Sequence, residues 1–234
     1  MWLRFLLMVV LAYLVGAITP AYLAAKLARG IDLRTFGTRN TGVSNLWHAT
    51  DKKMSILLPV ILFDFAKAWP VIWAAKFLGL GLWGEAAVAV AVVAGHNWPV
   101  YIRFHGGRGA LSTLGIAVFM PLINGLAPWP VTVGVAIVLL GTFVIRNAPL
   151  GVALGIISLS VVSWIVREPT PLVWGYVGIA LAMVACRLVQ PRHDTSFSFP
   201  RLLINRLLFD RDIQDRQTWI NRAYSQRASQ QRKK

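Results

Sequence analysis

Cysteine and acidic side chains are nearly missing from this chain: of 234 residues, one is a cysteine, Cys186, and nine are Asp or Glu. A single thiol excludes an intrachain disulfide framework and any cysteine-based metal cluster. Cys186 sits beside Val184, Ala185 and Leu188, the setting of an inert buried thiol. Charge of either sign is scarce, at 14% of residues where a soluble domain carries ~25%, while 56% are hydrophobic where such a domain carries ~45–50%. That composition excludes an ordinary water-soluble enzyme. Against the nine acids stand 24 Lys and Arg, a net charge of +15. Zinc-ligand spacing and an aromatic-rich polar face are lacking too, which argues against nucleic acid as the partner. Membrane lipid and phosphorylated small molecules are the anions that fit better.

What is there is a series of apolar runs punctuated by Gly, Pro and charge. Lipid offers no partner for open backbone amides, so such runs read as helices. The fold expected is all-α and polytopic, with about seven transmembrane helices at 4–27, 54–78, 83–102, 110–124, 129–145, 149–166 and 171–189. The first is too long for a signal-peptide h-region of ~7–15 residues, and no convincing cleavage site follows, so it reads as a mature helix. Residues 1–190 form the transmembrane unit and 191–234 a basic cytoplasmic or interfacial tail. Within the tail, Leu203, Leu207, Ile213 and Ile220 alternate with Arg, as in a helix lying on an anionic leaflet; a merely solvated tail is the competing reading.

Orientation follows from Lys and Arg on alternate connections, whose excess marks the cytoplasmic side. Arg29, Arg34, Arg39, Lys52 and Lys53, then Arg103 and Arg108, then Arg146, and eleven residues from Arg187 onward fall on one side, nineteen in all, against Arg4, Lys76 and Arg167 on the other. The amino terminus is therefore expected outside and the carboxyl tail in the cytoplasm.

Two cytoplasmic connections combine Gly, hydroxyls or amides, and cations. In the first, Gly30 to Asn45, Gly37 and Gly42 let the backbone turn its amides to one point, while Thr38, Asn40, Thr41, Ser44 and Asn45 add donors, as a phosphate cradle requires. In the second, Gly95 to Gly109, the run Gly106-Gly107-Arg108-Gly109 opens directly into a helix at Ala110. There the helix dipole and free amides favour an anion, and Arg108 adds a planar fork. Glycine for turns and arginine for lipid headgroups explains either loop alone; both on one face point to two phosphorylated ligands meeting there.

These residues resemble the bacterial acyl-phosphate:glycerol-3-phosphate acyltransferases, small polytopic membrane enzymes. The resemblance runs from Gly16-Ala-Ile-Thr-Pro-Ala-Tyr-Leu through Gly30, Asp32, Arg34, Gly37, Asn40, Gly42 and Asn45. It continues in Phe63-Asp-Phe-Ala-Lys-Ala-Trp-Pro70 and in Gly95-His96, Pro99, Phe104 and Gly106-Gly107-Arg108-Gly109. It implies transfer of a fatty acyl group from acyl phosphate to the sn-1 hydroxyl of glycerol 3-phosphate, giving lysophosphatidic acid and phosphate in phospholipid biosynthesis at the bacterial inner membrane. The anhydride is already activated, so neither metal nor cofactor is expected. Catalysis would be charge neutralisation and orientation. On that basis Thr38, His96 and Arg108 are the candidate catalytic residues, with His96 either a base or a phosphate donor. Gly37, Asn40, Gly42, Asn45, His48, Gly106, Gly107 and Gly109 are candidates for holding substrate.

The chain also departs from the family. Gly37-Thr38-Arg39-Asn40 replaces the usual Gly-Ser-Gly-Asn, His48 stands where an Arg is common, and Arg108 replaces a Lys. The family's last motif, His followed three residues later by Asn, is missing: His193 is followed at that spacing by Ser196. An inactive relative keeping the fold is therefore one alternative. A transporter or channel for an anionic solute is another, although the polar motifs cluster in the first half and show no inverted repeat. Asp64 and Lys67, three apart inside the second span, read as a structural ion pair at least as well as a catalytic one. The tryptophans at 47, 69, 73, 83, 98, 129, 164 and 174 fall mostly near span ends, as interfacial anchors do.

Overall fold

The computed structural model describes residues 2–189 and 198–215, together with 217, 218 and 221. His193, Ser196, Ile220 and the basic end from 222 lie outside the described residues. All regular structure among those described is helical.

Every expected span overlies a helical rod, and the informative differences are at the breaks. The first rod is interrupted: α1 (Trp2–Ala17) stops and α2 (Pro20–Arg29) restarts. Pro20 stands in the first helical turn, where its missing N–H costs least. After the short α3 (Val43–Ala49), the second rod is likewise jointed, α4 (Met54–Ala66) meeting α5 (Ala68–Phe77) at Lys67. The third rod, α6 (Gly81–Asn97), ends five residues short of the expected 102, because the chain turns at Trp98-Pro99 into a 3-10 turn over Val100–Ile102. Then follow α7 (Ala110–Ile123), α8 (Trp129–Leu139) continuing as a π turn over Leu140–Val144, α9 (Ala148–Ile165), α10 (Thr170–Leu188) and α11 (Phe199–Phe209).

Four rods are long and apolar enough to cross a membrane: Trp2–Arg29, Met54–Phe77, Ala148–Ile165 and Thr170–Leu188. The shortest of the others, α7, has 14 residues, about 21 Å at 1.5 Å per residue against a hydrocarbon core of ~30 Å. Large apolar side chains cover the outside, as Trp2, Leu3, Leu6 and Leu7 do on α1 and Trp164 and Ile165 do on α9. So much exposed apolar surface suits contact with lipid.

Helix α6 runs through the core. It is lined with small residues and packs against α1, α5, α7 and α10. Gly16 of α1 lies directly on the Val92 carbonyl, and Gly95 of α6 lies on the Tyr13 carbonyl; a Cβ at either would overlap backbone. Without a hydrophobic drive between helices in lipid, such close approach is how they gain packing. At one end, Lys76 donates to Ile123 O and Asn124 Oδ1, both at 2.7 Å, and Asn124 donates to the buried Glu85 at 2.6 Å. The two glycine-bearing connections meet at the other.

Over the residues described, the tail packs one face of α11 on the body and leaves Phe199, Ile204, Leu207 and Leu208 exposed on the other. Leu202, Asn205 and Arg206 of α11 are buried against the body, as are Asp212 and Ile213 beyond it. Arg206 holds Asp212 at 2.6 Å and the Leu188 carbonyl at 2.8 Å, so the strap is fastened to the end of α10.

Candidate active site

The first connection is built around Asn45. Its Nδ2 donates to the carbonyls of Leu33, Phe36 and Asn40 at 3.2, 2.9 and 2.9 Å, and its Oδ1 accepts from Thr38 N at 3.3 Å. One buried amide thus folds the eight residues from Leu33 to Asn40 around itself. Gly37 adopts φ 55, and a Cβ there would run into Asn45 Oδ1. Asn40 Oδ1 accepts from Gly42 N at 3.0 Å, closing the turn that starts α3. Asn45 and Asn40 Oδ1 are therefore committed to holding the loop. The Thr38 hydroxyl and the Asn40 amide nitrogen carry no hydrogen bond among the described residues.

Arg34 braces the loop from outside. It grips Asp32 through Nε and Nη2, the latter at 2.6 Å, lies over the Tyr22 ring, and reaches the Ile102 carbonyl at 3.5 Å. The Arg34 hydrogen bond holds the Asp32 carboxyl below its usual range. Thr41 donates to His105 O at 3.4 Å. These two bonds, from Arg34 and Thr41, tie the first connection to the second.

The second connection folds over the end of α6. Gly107 N donates to His96 O at 3.0 Å. A Cβ on Gly106 would overlap the carbonyls of His96 and Asn97, and one on Gly107 would overlap His96 Nε2. The glycines are there so that backbone can lie against backbone and against an imidazole. Gly109, at φ 69, then caps α7.

Beneath this loop His96 is buried, with Lys67 Nζ 2.7 Å from its Nδ1. Lys67 also donates to Asp64 Oδ1 at 2.8 Å and to the carbonyls of Gly16 and Ile18 at 3.1 and 3.3 Å, the groups freed where α1 breaks. Where Lys67 is an ammonium, which only donates and shares its three N–H groups among these four acceptors, Nδ1 accepts and the ring proton sits on Nε2, the edge turned to Gly107. The two interrupted rods and α6 meet at this one cluster.

Arg108 is largely buried. Its Nε donates to both oxygens of Asp210 at 2.7 and 2.8 Å, and its Nη1 to Cys186 Sγ at 3.2 Å. Burial works against its charge, but the Asp210 carboxylate outweighs it and keeps the guanidinium above its ordinary value. Deeper still, the Asn97 amide and the hydroxyls of Ser112 and Thr113 are buried without hydrogen-bond partners. Asn97 Oδ1 lies against Gly109, and Ser112 and Thr113 belong to the first turn of α7.

The structure therefore gathers Thr38, Asn40, Gly42, Asn45, His96 and the Gly106 to Gly109 run at one end of the bundle, with Asp64 and Lys67 behind His96. His48 lies on α3, at the end of the first connection. It is exposed, and lines a groove of about 530 Å³ with Ser44, Trp47, Lys52, Leu57 and Ile61. Sequence reasoning missed Asn97, Ser112, Thr113, Arg187 and Asp210. The first three had a usable signal, an amide adjoining His96 and hydroxyls directly after the glycine run. Among the described residues no group of His, Cys, Asp and Glu could hold a metal.

Comparison with known proteins bears on this geometry. A family model described as glycerol-3-phosphate acyltransferase matches residues 6–199. Glycerol-3-phosphate acyltransferase 4 of Dehalococcoides mccartyi strain CBDB1 is 40% identical over 226 residues, covering 93% of this chain and 94% of the relative. Acyltransferase 5 of strain 195 is 40% identical over 230 residues and covers 95% of each. A crystal structure of PlsY, an integral membrane glycerol 3-phosphate acyltransferase in its glycerol 3-phosphate form, superposes with a TM-score of 0.67 at 27% identity, over 79% of this chain and 88% of that one. Its lysophosphatidic acid form gives 0.66 at 25% identity, over 88% and 98%.

Proposed function

Because the chain belongs to the glycerol-3-phosphate acyltransferase family, we propose that it moves a fatty acyl group from acyl phosphate to the sn-1 hydroxyl of glycerol 3-phosphate. The products are lysophosphatidic acid and phosphate. The active end faces the cytoplasm of a bacterial cell, with the amino terminus outside, as the Lys and Arg count favours. The observation that carries the reading is the joining of two glycine-bearing, cation-lined connections through Thr41 to His105 and Arg34 to Ile102, with His96 directly beneath.

Each substrate brings a phosphate, and there is one connection for each. The leaving phosphate is held by Arg108 and the amides at the start of α7, where the helix dipole adds to the attraction. Glycerol 3-phosphate is held against the first connection by the Thr38 hydroxyl and the Asn40 amide. Asn45 keeps that loop in shape without touching substrate. The hydroxyl attacks the acyl carbonyl, and the carbon–oxygen bond to phosphate breaks as the acyl ester forms.

His96, with its proton on Nε2, serves as a donor to developing negative charge and not as the base. The departing phosphate keeps the electron pair of the broken bond and takes up the hydroxyl proton, leaving as hydrogen phosphate. The Asn97 Nδ2 and the hydroxyls of Ser112 and Thr113 are buried donors whose missing acceptor an oxyanion would supply, since orphaned donors in such a place are costly otherwise.

The test is purified protein in nanodiscs with acyl phosphate and labelled glycerol 3-phosphate. Lysophosphatidic acid should appear with one phosphate released per acyl transferred. Arg108→Ala should lower turnover by ~10²-fold or more, as loss of a transition-state charge contact does. A folded preparation that makes no lysophosphatidic acid overturns the proposal.

A further inference from the structure

The strap that follows α10 is not matched by the family model, which ends at residue 199. It nevertheless reaches the centre of the site. Asp210 ends α11 in the left-handed conformation, φ 54, and so turns its carboxylate back onto Arg108 across 102 residues of sequence. Arg187 closes on the same carboxylate: its Nε is 4.0 Å from Asp210 Oδ1. Its other nitrogens are fixed by Leu207 O and Pro149 O, both at 2.7 Å. The strap itself is held by Arg206 on Asp212 and by Asn205 Nδ2 on Asp212 O at 2.9 Å. Arg187, Arg206 and Asp212 are each buried. This is a built contact, not a loose tail brushing the surface.

The arrangement matters because Arg108 is a planar fork. A lysine in its place would be a point charge that swings to whatever anion is near, whereas a guanidinium must be aimed. Asp210 takes the Nε edge with both oxygens and Cys186 takes Nη1, whose sulfur in turn lies 3.5 Å from Gly107 O. Two edges are thus pinned, and Nη2 remains without a hydrogen bond among the described residues.

We infer that Asp210 is a positioning residue for acyl transfer: it clamps Arg108 so that the one free edge of the guanidinium meets the leaving phosphate, and the strap thereby completes the active site from outside the part of the chain that the family model matches. This rests on the reading above that Arg108 holds that phosphate. The clamp also accounts for arginine at this position. A lysine would be captured by Asp210 as an ion pair and lost to the substrate.

The experiment is a double-mutant cycle in nanodiscs, reading kcat, the KM for glycerol 3-phosphate, and melting temperature for each variant. Asp210→Asn should lower kcat by ~10-fold or more, the cost of a misaimed contact, while the KM for glycerol 3-phosphate stays within about twofold of the unaltered protein. Arg108→Lys alone should be strongly impaired, and Arg108→Lys with Asp210→Asn should be faster than Arg108→Lys, because the ammonium is released from its captor. A merely structural strap predicts the opposite, with each added change slowing the enzyme further. Full kcat in folded Asp210→Asn, or a double variant slower than Arg108→Lys, overturns the inference. Should Asp210→Asn fail to fold, Asp210→Glu carries the test, with reduced kcat at unchanged melting expected and full kcat overturning it. Full turnover in Arg108→Ala would instead sink the reading of Arg108 itself.

Discussion

Gly107→Ala is the smallest change that interrogates the site. Gly107 is not at positive φ, so alanine is acceptable to its backbone and a flexible-turn role would predict a silent substitution. The surroundings predict otherwise. The new methyl would overlap His96 Nε2 and stand only 3.0 and 3.1 Å from Cδ2 and Cε1 of the ring. Ordinary contact begins near 3.4 Å, so ring and loop must part by about 1 Å. The ring cannot swing away cheaply, because Lys67 holds Nδ1 from behind at 2.7 Å. The loop must lift, stretching the 3.0 Å bond from Gly107 N to His96 O and carrying Arg108 with it. A displacement of about 1 Å in a positioning group costs ~10²-fold in rate. The overpacking itself costs ~1–3 kcal/mol of stability. The assay is single-turnover acyl transfer beside thermal unfolding in the same detergent, with Gly30→Ala as control. Gly30 has positive φ but open space around it, so its alanine variant should lose stability and keep its rate. Equal rates for Gly107→Ala and the unaltered protein would refute the claim that Gly107 exists to let the loop lie on His96.

Further expectations follow from the same geometry. Lys67→Met should abolish turnover and destabilise the protein by ~3–5 kcal/mol, because Asp64 is left as an unpaired buried charge. Adding Asp64→Asn should restore melting but not rate, since Nδ1 still lacks its donor; recovery of turnover in the double variant would refute the tautomer assignment. Asp32, held low by its hydrogen bond to Arg34, lends stability that is fully present above its unfolded pKa of ~3.9 and is lost as pH falls through its lower folded value. Melting temperature should therefore drop below pH ~4, and Asp32→Asn should flatten that dependence; an unchanged slope would refute it. Gly115→Ala should lower stability by ~1–3 kcal/mol, because its Cβ would overlap the Phe65 carbonyl where α7 crosses α4; unchanged melting would contradict that crossing.

The rods were legible because a long unbroken apolar run can satisfy its backbone in lipid within itself only as a helix, the alternating strands of a barrel having a different pattern. The breaks were harder to read. Thr19-Pro20 is a visible punctuation mark, yet its consequence depends on Lys67, 49 residues on from Ile18, arriving to use the freed carbonyls. The end of α6 was misplaced because Val100 to Ile102 is as apolar as the helix before it, and only the turn at Pro99 ends the run. In the first connection, composition announced a donor-rich loop without saying which donors were spare. Asn40, Thr38 and Asn45 look alike on paper, but Asn45 is buried and saturated by the loop's own carbonyls.

The second connection shows most plainly what local pattern carries. Gly106-Gly107-Arg108-Gly109 before a helix is a signal contained in four residues, so it could be read directly. What aims Arg108 is not contained there. Asp210 lies on a strap whose nearest neighbours in sequence are Phe209 and Arg211, and its charge acquires meaning only when α11 folds back over the end of α10. A lone acid among many arginines reads as an ordinary solvated pair. In a bundle with nine acids in 234 residues, however, each acid that is buried must find a specific hydrogen-bond or ionic partner, since a buried charge left without one is not tolerated. Asp64 answers to Lys67, Glu85 accepts from Asn124, and Asp212 answers to Arg206. Asp210, at 15% side-chain exposure, answers to the cation of the glycine loop. Scarcity of acid thus makes its placement informative, and the pairing of Asp210 follows from the same constraint that fixes the other three.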